Sequence, residues 1–505
     1  MKARPVVLTL LFLSATCPSL SARTLMVPGD FGTIQDGIDH AVDGDTVMIA
    51  PGTYHEYDIN FDGKAITVTG TDPEDMNVVS STIVDAGSLG RVFIFDSGED
   101  TTSVLAGLSL TGGHTPDWGG AIRCYQSSPR IIDNIVIGNS SEHGGGGIFL
   151  EDSRSIISGN TITGNSAGWG GGGIRCSSAA PIISDNLIMN NTADYGGGID
   201  CHYGAHPLII GNLILNNSSG DGGGIYAYDY SAPAVFYTLI AGNTAEYGGG
   251  MHCRYDCTPL LIRDTFTGNT ATIQGGGVRC KFSSPLVAMN TVFWDDNAPE
   301  GKEIYMGGYP SANPSVLTIS YSDVEGGLES IYSEPGNDVN WGPGMLVSDP
   351  LFVRRDALDY RLLWGSPCID AGIPDSLDVD GTRSDIGAFP FDQGEILTLY
   401  LSPDSDRVFR GGRLGVLYTV INRQQDPETF TIESSVTLPD GTDYPLLGPD
   451  QHMIQGDRTV QVQVYHDVPQ VAPLGYYLYH STTETGARMV SGSDDFLFMV
   501  TDSPH

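Results

Sequence analysis

Between Val104 and Glu300 the chain carries eight lysines and arginines, and five of them, Arg123, Arg175, Arg254, Arg279 and Lys281, stand just after a recurring glycine-rich phrase. Tyr226 and Tyr228 fill the matching places in another copy of the phrase. Guanidinium and ammonium groups pair with carboxylate or sulfate, and aromatic rings offer faces to sugars. Arg123, Arg175, Tyr226, Tyr228, Arg254, Arg279 and Lys281 therefore read as a ligand-binding platform for an anionic or neutral glycan. The alternative is a solvated sheet face whose large side chains shield the strands below.

The same positions hold candidate catalytic groups: Asp200, His202, Tyr228, His252 and Arg254. On three successive layers of a stacked sheet they would fall within roughly 10 Å, at about 4.8 Å per layer. Elimination from a uronate polymer needs a cation for the carboxylate and a base for the α-proton. Arg254 suits the first role, and His202, His252 or Tyr228 the second. Glycoside hydrolysis needs two carboxyl groups about 5–9.5 Å apart. Only Asp200 is well placed for that, with Asp229 and Asp256 in adjoining turns, so hydrolysis is the weaker expectation. A second column precedes the glycines: Trp118, His143, Trp169, Tyr195, Asp221, Tyr247 and Gln274. It reads as a sugar-stacking rim or as rings folded over the glycine backbone. Asp378, Asp380 and Asp385 cluster enough to hold Ca²⁺ with carbonyl help; the alternative is a polar turn. No other cofactor is implied.

What positions these residues is a repeat. A glycine phrase closes on Ile122, Ile148, Ile174, Ile199, Ile225, Met251 and Val278, a spacing of 25 to 27 residues, in the range of solenoids. An asparagine keeps step at Asn139, Asn165, Asn191, Asn217, Asn243, Asn269 and Asn297, and Cys124, Cys176, Cys201, Cys253 and Cys280 follow two residues after a closing apolar residue. Each repeat is thus expected to be one turn of a coil. Runs such as Pro181-Ile182-Ile183 are β-like, and no segment is long and amphipathic enough for a helical repeat. Strand alternation then sends Ile122 and Cys124 inward and Arg123 outward. Stacked cysteines could form disulfides, but Leu150 and Ala227 in the same column favour buried thiols.

Phe266-Thr267-Gly268-Asn269 and Gly119-Gly120-Ala121-Ile122 resemble the FxxN and GGA(I/L) motifs of polymorphic outer-membrane protein repeats. The repeat as a whole is similar to those of right-handed parallel β-helix proteins of the pectate-lyase-like type. Most copies have Ile for Phe and Gly for Ala, so the resemblance is to the class. No polygalacturonase-like Asn-Thr-Asp or Arg-Ile-Lys and no alginate-epimerase-like Asp-Pro-His-Asp occurs. The segments Asp349–Phe352, Ser366–Gly372, Asp378–Gly381 and Asp385–Phe389 resemble the closing segment of secreted bacterial β-helix proteins.

Residues 1–22 have the basic start, apolar run and small residues of a secretory signal. No later stretch is apolar enough to span a membrane, so a secreted or cell-surface protein is expected. A net charge of −37 disfavours nucleic acid as a partner. A helix from about 32 to 42, with Asp30 as cap, is expected to cover the open end of the solenoid. The expected fold is all-β: a right-handed parallel β-helix over 23–392, with regular coils at about 104–300 and a closing segment at about 345–392. An immunoglobulin-like β-sandwich follows over 393–505. The function expected is binding of polysaccharide or a surface through the basic and aromatic ladder. A polysaccharide lyase and a purely architectural adhesin-type protein are the alternatives.

Overall fold

In the computed structural model, residues 22–308, 314–486 and 489–502 are described; the signal-like segment lies almost wholly outside them. Residues 24–341 form a parallel β-solenoid. Its first face is a 13-stranded sheet running from Thr24–Val27 to Asp338–Trp341, and its second face has 11 strands. A short third face of seven strands runs from His114–Thr115 to Thr270–Gln274. The strands that follow the glycines build an 11-stranded fourth face.

The expected register holds along the strands after the glycines. In the column before them Trp118, Gly144, Gly170 and Tyr195 pair instead, because the second and third repeats carry a fourth glycine, and His143 and Trp169 fall one residue outside it. Ile174 pairs with Ile199, Arg175 with Asp200, Cys176 with Cys201 and Ser177 with His202. Inward residues of the first, second and fourth faces form one continuous apolar core. The seven cysteines among the described residues are all buried free thiols. Corners between faces are tight because one residue adopts φ > 0: Asp185 at 56° between the first and second faces, Asn190 at 55° between the second and third.

The glycine phrase is a corner too. Its first glycine takes positive φ, 68° at Gly171, and a methyl group on Gly172 would lie 2.5 Å from the carbonyl oxygen of Gly197 on the next coil. The first glycine serves the turn, and the second lets the backbones of successive coils approach.

The asparagine ladder runs through the corner between the second and third faces. The backbone N–H and Nδ2 of Asn243 both donate to Oδ1 of Asn269 at 3.0 Å. The ladder ends at Asp296, one residue before the expected Asn297. Asn269 donates to Asp296 Oδ1 at 2.7 and 2.9 Å, and Asn297 is exposed. That last turn is one residue longer, which moves Asp296 into the column. A second ladder, Asn134, Asn160, Asn186 and Asn212, lies in the corner between the first and second faces. It continues through Thr238 to Asp264.

Helix α1 (Ile34–His40) seals the N-terminal end, burying Ile34 and Ile38. Its cap is Thr33, whose Oγ1 accepts from Asp36 N. Asp30 instead accepts from the Met26 N–H, so the helix starts later than its periodicity predicts. A short helix α2 (Met76–Ser81) was not legible in the sequence. No helix of the described residues is long and apolar enough to cross a membrane.

Beyond Trp341 the chain does not continue the coil. It folds back along the second face, where Phe352, Leu362, Ile386 and Phe391 pack on Leu215, Leu239 and Trp294. The C-terminal part is a two-sheet sandwich of β1 (Leu397–Pro403), β2 (Arg407–Phe409), β3 (Arg413–Asn422), β4 (Glu428–Thr437), β5 (Asp443–Ile454), β6 (Arg458–Asp467), β7 (Gly475–Thr485) and β8 (Met489–Thr501). Its sheets run β1-β3-β6 and β2-β8-β7-β4-β5. The inner faces share one apolar core. The sandwich is anchored to the solenoid by Asn77, which exchanges two hydrogen bonds with the backbone of Tyr476. An Arg361–Asp494 ion pair at 2.7 Å ties it to the fold-back segment.

Candidate functional site

The outward side chains of the fourth face form two columns, and they have different surroundings. The column nearest the glycines is Arg123, Phe149, Arg175, Asp200, Tyr226, His252, Arg279 and Tyr305. All but Arg123 are buried. The chain turns sharply at the glycines, so the residues before them fold over this column. Trp118 stacks on Phe149 at 5.2 Å and lies beneath the Arg175 guanidinium at 4.5 Å. Tyr195 packs on Tyr226 at 5.3 Å, and Tyr247 lies under Arg279 at 4.4 Å. Strand alternation places Arg175, Tyr226 and Arg279 outward but does not show this second layer. They face away from the core and are nonetheless covered. The ring of Trp118 also reaches Gly144 so closely that a methyl group there would lie 2.9 Å from it.

Two polar clusters sit in the covered layer. In the first, the fully buried Asp200 meets Arg175 Nη1 at 2.8 Å and His202 Nδ1 at 2.7 Å. In the second, His252 Nε2 receives Arg279 Nη1 at 2.6 Å while its Nδ1 lies 3.3 Å from Asp221. Burial pushes His252 down to about 4, so it is neutral at physiological pH. Burial works against the charge of Asp221, but His252, Arg279 and Arg254 hold it below the usual carboxylate range. Gln274 accepts from Arg279 at 3.1 and 3.0 Å. Of the five catalytic candidates, Asp200 and His252 therefore lie inside the protein, and His202, Tyr228 and Arg254 lie at its surface boundary.

The second column, Tyr125, Glu151, Ser177, His202, Tyr228, Arg254 and Lys281, runs along the far edge of the face. Over the last four of these coils it joins the turn residues that follow it into one strip. His202 stacks on Tyr228 at 4.8 Å, Tyr228 meets Tyr255 edge-on at 5.3 Å, and Tyr255 stacks on Phe282 at 4.9 Å. Arg254 lies over the Tyr255 and Phe282 rings at 4.7 and 5.3 Å, and Lys281 over Phe282 at 5.3 Å. Tyr203 and Tyr230 flank the strip at 56% and 64% exposure. Lys281 also lies 3.6 Å from Glu334. Arg123, at the opposite end of the face, lies over the Tyr125 ring at 5.1 Å.

Sequence reasoning missed the turn aromatics, Tyr203, Tyr255 and Phe282. Their signal was present: all three occupy the position directly after the second outward column. Each has φ between 55° and 62°, a region that L side chains other than Asn and Asp enter at a cost. Earlier coils place Gln126, Asp152 and Ser178 in the same conformation. The turn demands positive φ, and three coils spend it on an aromatic ring.

The Asp378, Asp380 and Asp385 carboxylates have protein partners. Arg263 Nη1 meets Asp378 at 2.5 Å. Asp380 accepts from Thr382 and the Gln393 N–H, and Asp385 from the Asp370 and Phe391 N–H groups. Burial raises Asp385 to about 7. Asp378 ties the fold-back segment to the corner between the first and second faces, while Asp380 and Asp385 brace the segment internally. Among the described residues no cluster of three or more His, Cys, Asp or Glu is arranged to hold a metal ion.

No curated protein matches the chain in sequence. Among solved structures, an alkylpurine DNA glycosylase of Pseudomonas fluorescens bound to DNA with an abasic-site analogue is 11% identical, TM-score 0.18, over 21% of this chain and 31% of that one. The sporulation control protein Spo0M of Bacillus subtilis is 12% identical, TM-score 0.18, over 22% and 51%. The enzymatically active domain of a tailspike protein of bacteriophage CBA120 is 10% identical, TM-score 0.23, over 93% and 66%. Likeness this low carries no argument about function. Residues 120–292 match the family model described as right handed beta helix region, and the parallel coils of that stretch are accordingly a right-handed β-helix.

Proposed function

We propose that the protein binds polysaccharide along the strip from His202 to Phe282, with Tyr228, Tyr255, Arg254 and Lys281 as principal contacts. The observation that carries this reading is the placement of Tyr203, Tyr255 and Phe282 in the left-handed region. Backbone strain of this kind costs of order 1 kcal/mol per residue and concentrates at functional sites. Rings stacked in series, two of them capped by a guanidinium, suit a chain of sugar rings bearing carboxylate or sulfate. The strip spans four coils, roughly 14 Å at about 4.8 Å per coil. The reading takes the protein to act outside the cytoplasm, after export on the signal-like segment 1–22. The test is retention on immobilised anionic and neutral polysaccharides. Wild type is expected to be retained, and Arg254→Ala with Tyr255→Ala to weaken retention at least tenfold. Equal retention of the double variant would exclude the strip.

One observation favours a second reading, elimination from a uronate polymer. Asp200 fixes Nδ1 of His202, so Nε2 is the ring nitrogen in position to act as base, with Arg254 nearby for the carboxylate. Assay of pectate, alginate and glycosaminoglycans for new absorbance from unsaturated ends decides it. Absence of product from all three would remove it.

A further inference from the structure

The outward side of the first face is an apolar ribbon. From Arg130–Ile132 to Asp338–Trp341, nine strands of this sheet stack in register. One outward column reads Ile156, Ile182, Leu208, Ala234, Leu260 and Val287, and Phe236 and Ile262 stand in the column beside it. All are partly exposed, Ile182 by 39%. Among the outward residues of these nine strands only Arg130, on the first, and Asp338, on the last, are charged. The net charge of −37 is carried elsewhere. An uncharged apolar surface of this extent marks an interaction site.

The second face shows how this protein treats such columns. Its outward Leu187, Leu213 and Leu239 are packed under the fold-back segment. No outward residue of the first-face ribbon joins or packs on any apolar cluster of the described residues. The two surfaces meet at the corner where Arg263 Nη2 donates to the Leu377 carbonyl at 3.3 Å. There the apolar surface runs on over Tyr237 and Leu377, 38% and 62% exposed.

We propose that a second copy of this chain covers the ribbon, the two first faces packing against each other in opposite directions. A basic protein or an anionic polymer finds no charges to pair with there, whereas one neutral ribbon matches another. The two charges at the ends of the ribbon are opposite, and the middle strand of the nine is Ala234–Phe236. A two-fold axis along that strand brings Arg130 of each copy to the strand that carries Asp338 of the other. Nine strands at about 4.8 Å, each about 13 Å across, overlap by roughly 500 Å² per copy. The total of about 1,000 Å² is what a specific interface needs at least, so the dimer is reversible.

The test is sedimentation equilibrium of the whole chain after the signal-like segment, over a range of concentrations. A reversible monomer–dimer equilibrium is expected. Added NaCl should tighten it, because salt screens the repulsion between two acidic copies. Phe236→Asp, beside the axis and facing its own copy, is expected to weaken the dimer at least tenfold. Ile273→Asp, 39% exposed on the third face, is expected to leave it unchanged, with far-UV circular dichroism checking that both variants fold. Arg130→Glu should weaken the dimer, and adding Asp338→Arg should restore it, which reads the opposed direction. Four results would each overturn the proposal: a monomer at every concentration, including one that instead partitions onto phosphatidylcholine vesicles; a dimer of equal strength in Phe236→Asp; a dimer that salt dissociates; or no recovery in the Arg130→Glu, Asp338→Arg chain.

Discussion

Replacing Asp296 by Asn is expected to stabilise the protein at alkaline pH and to leave it nearly unchanged at mildly acidic pH. Asp296 Oδ1 terminates the asparagine ladder by accepting two bonds from Asn269. Its Oδ2 and both carboxyl oxygens of Glu303 are buried, with no hydrogen-bond partner but one another among the described residues. Lys302 Nζ comes no closer to Glu303 than 3.7 Å. Burial raises both carboxyls well above the usual range; Asp296 raises Glu303 further, while the hydrogen bond from Glu303 partly offsets the rise of Asp296. The folded state therefore keeps protons that the unfolded chain releases from about pH 4 upward. Stability must fall as pH rises from there toward the folded-state values. Asparagine keeps the acceptor for Asn269, cannot ionise, and offers an N–H to the Glu303 carboxyl. Removing a buried carboxyl that must ionise is worth about 1–3 kcal/mol once it is charged, so a gain of about 2 kcal/mol is expected at pH 8 and under about 1 kcal/mol at pH 5. Urea unfolding followed by far-UV circular dichroism at the two pH values measures it. A variant no more stable than wild type at pH 8, or one losing stability with pH as steeply, would refute the reasoning.

Three further outcomes follow from the packing. Asn191→Ala removes an acceptor for Asn165 and a donor to Ile162 and Asn217; it should cost about 3 kcal/mol or more by the same unfolding measurement. Arg175→Met leaves Asp200 buried beside His202 without its guanidinium, and a loss of about 3–5 kcal/mol is expected. Polysaccharide retention measured on the folded fraction should be unaffected, because Arg175 is covered. Burial pushes the thiol of Cys124 up and that of Cys257 to about 12, and the hydrogen bond with Cys176, together with burial, pushes Cys201 up. Native protein without residues 1–22 should therefore give no rapid reaction with Ellman's reagent, and seven thiols after unfolding.

Much of the architecture was legible because a solenoid repeats one physical solution at a fixed interval. The period alone placed Cys176 over Cys201 and Arg254 beside Tyr228. Where the interval changed by one residue the column was misassigned, as with Asn297 in place of Asp296. The ladder from Asn134 to Asn212 kept a 26-residue spacing and could have been found the same way. The covered state of Arg175, Tyr226 and Arg279 could not. Alternation tells which side of a strand a residue takes, whereas cover depends on the sharp glycine corner bringing Trp118, Tyr195 and Tyr247 across it. Strand β5 is not legible in the sequence, because Pro445, Gly448 and Pro449 favour turns, although an edge strand tolerates them. The fold-back after Trp341 joins residues more than a hundred positions apart, as Arg263 to Asp378, and no local pattern encodes that.

The central claim is that sugars lie along the solenoid axis on the strip from His202 to Phe282. Isothermal titration with anionic oligosaccharides of increasing length, from disaccharide to octasaccharide, tests it most directly. Affinity is predicted to rise with length until the ligand spans the strip, then level off, and Tyr255→Ala is predicted to weaken the longer ligands most. Binding that is absent, or that is independent of length and unchanged in Tyr255→Ala, would contradict it.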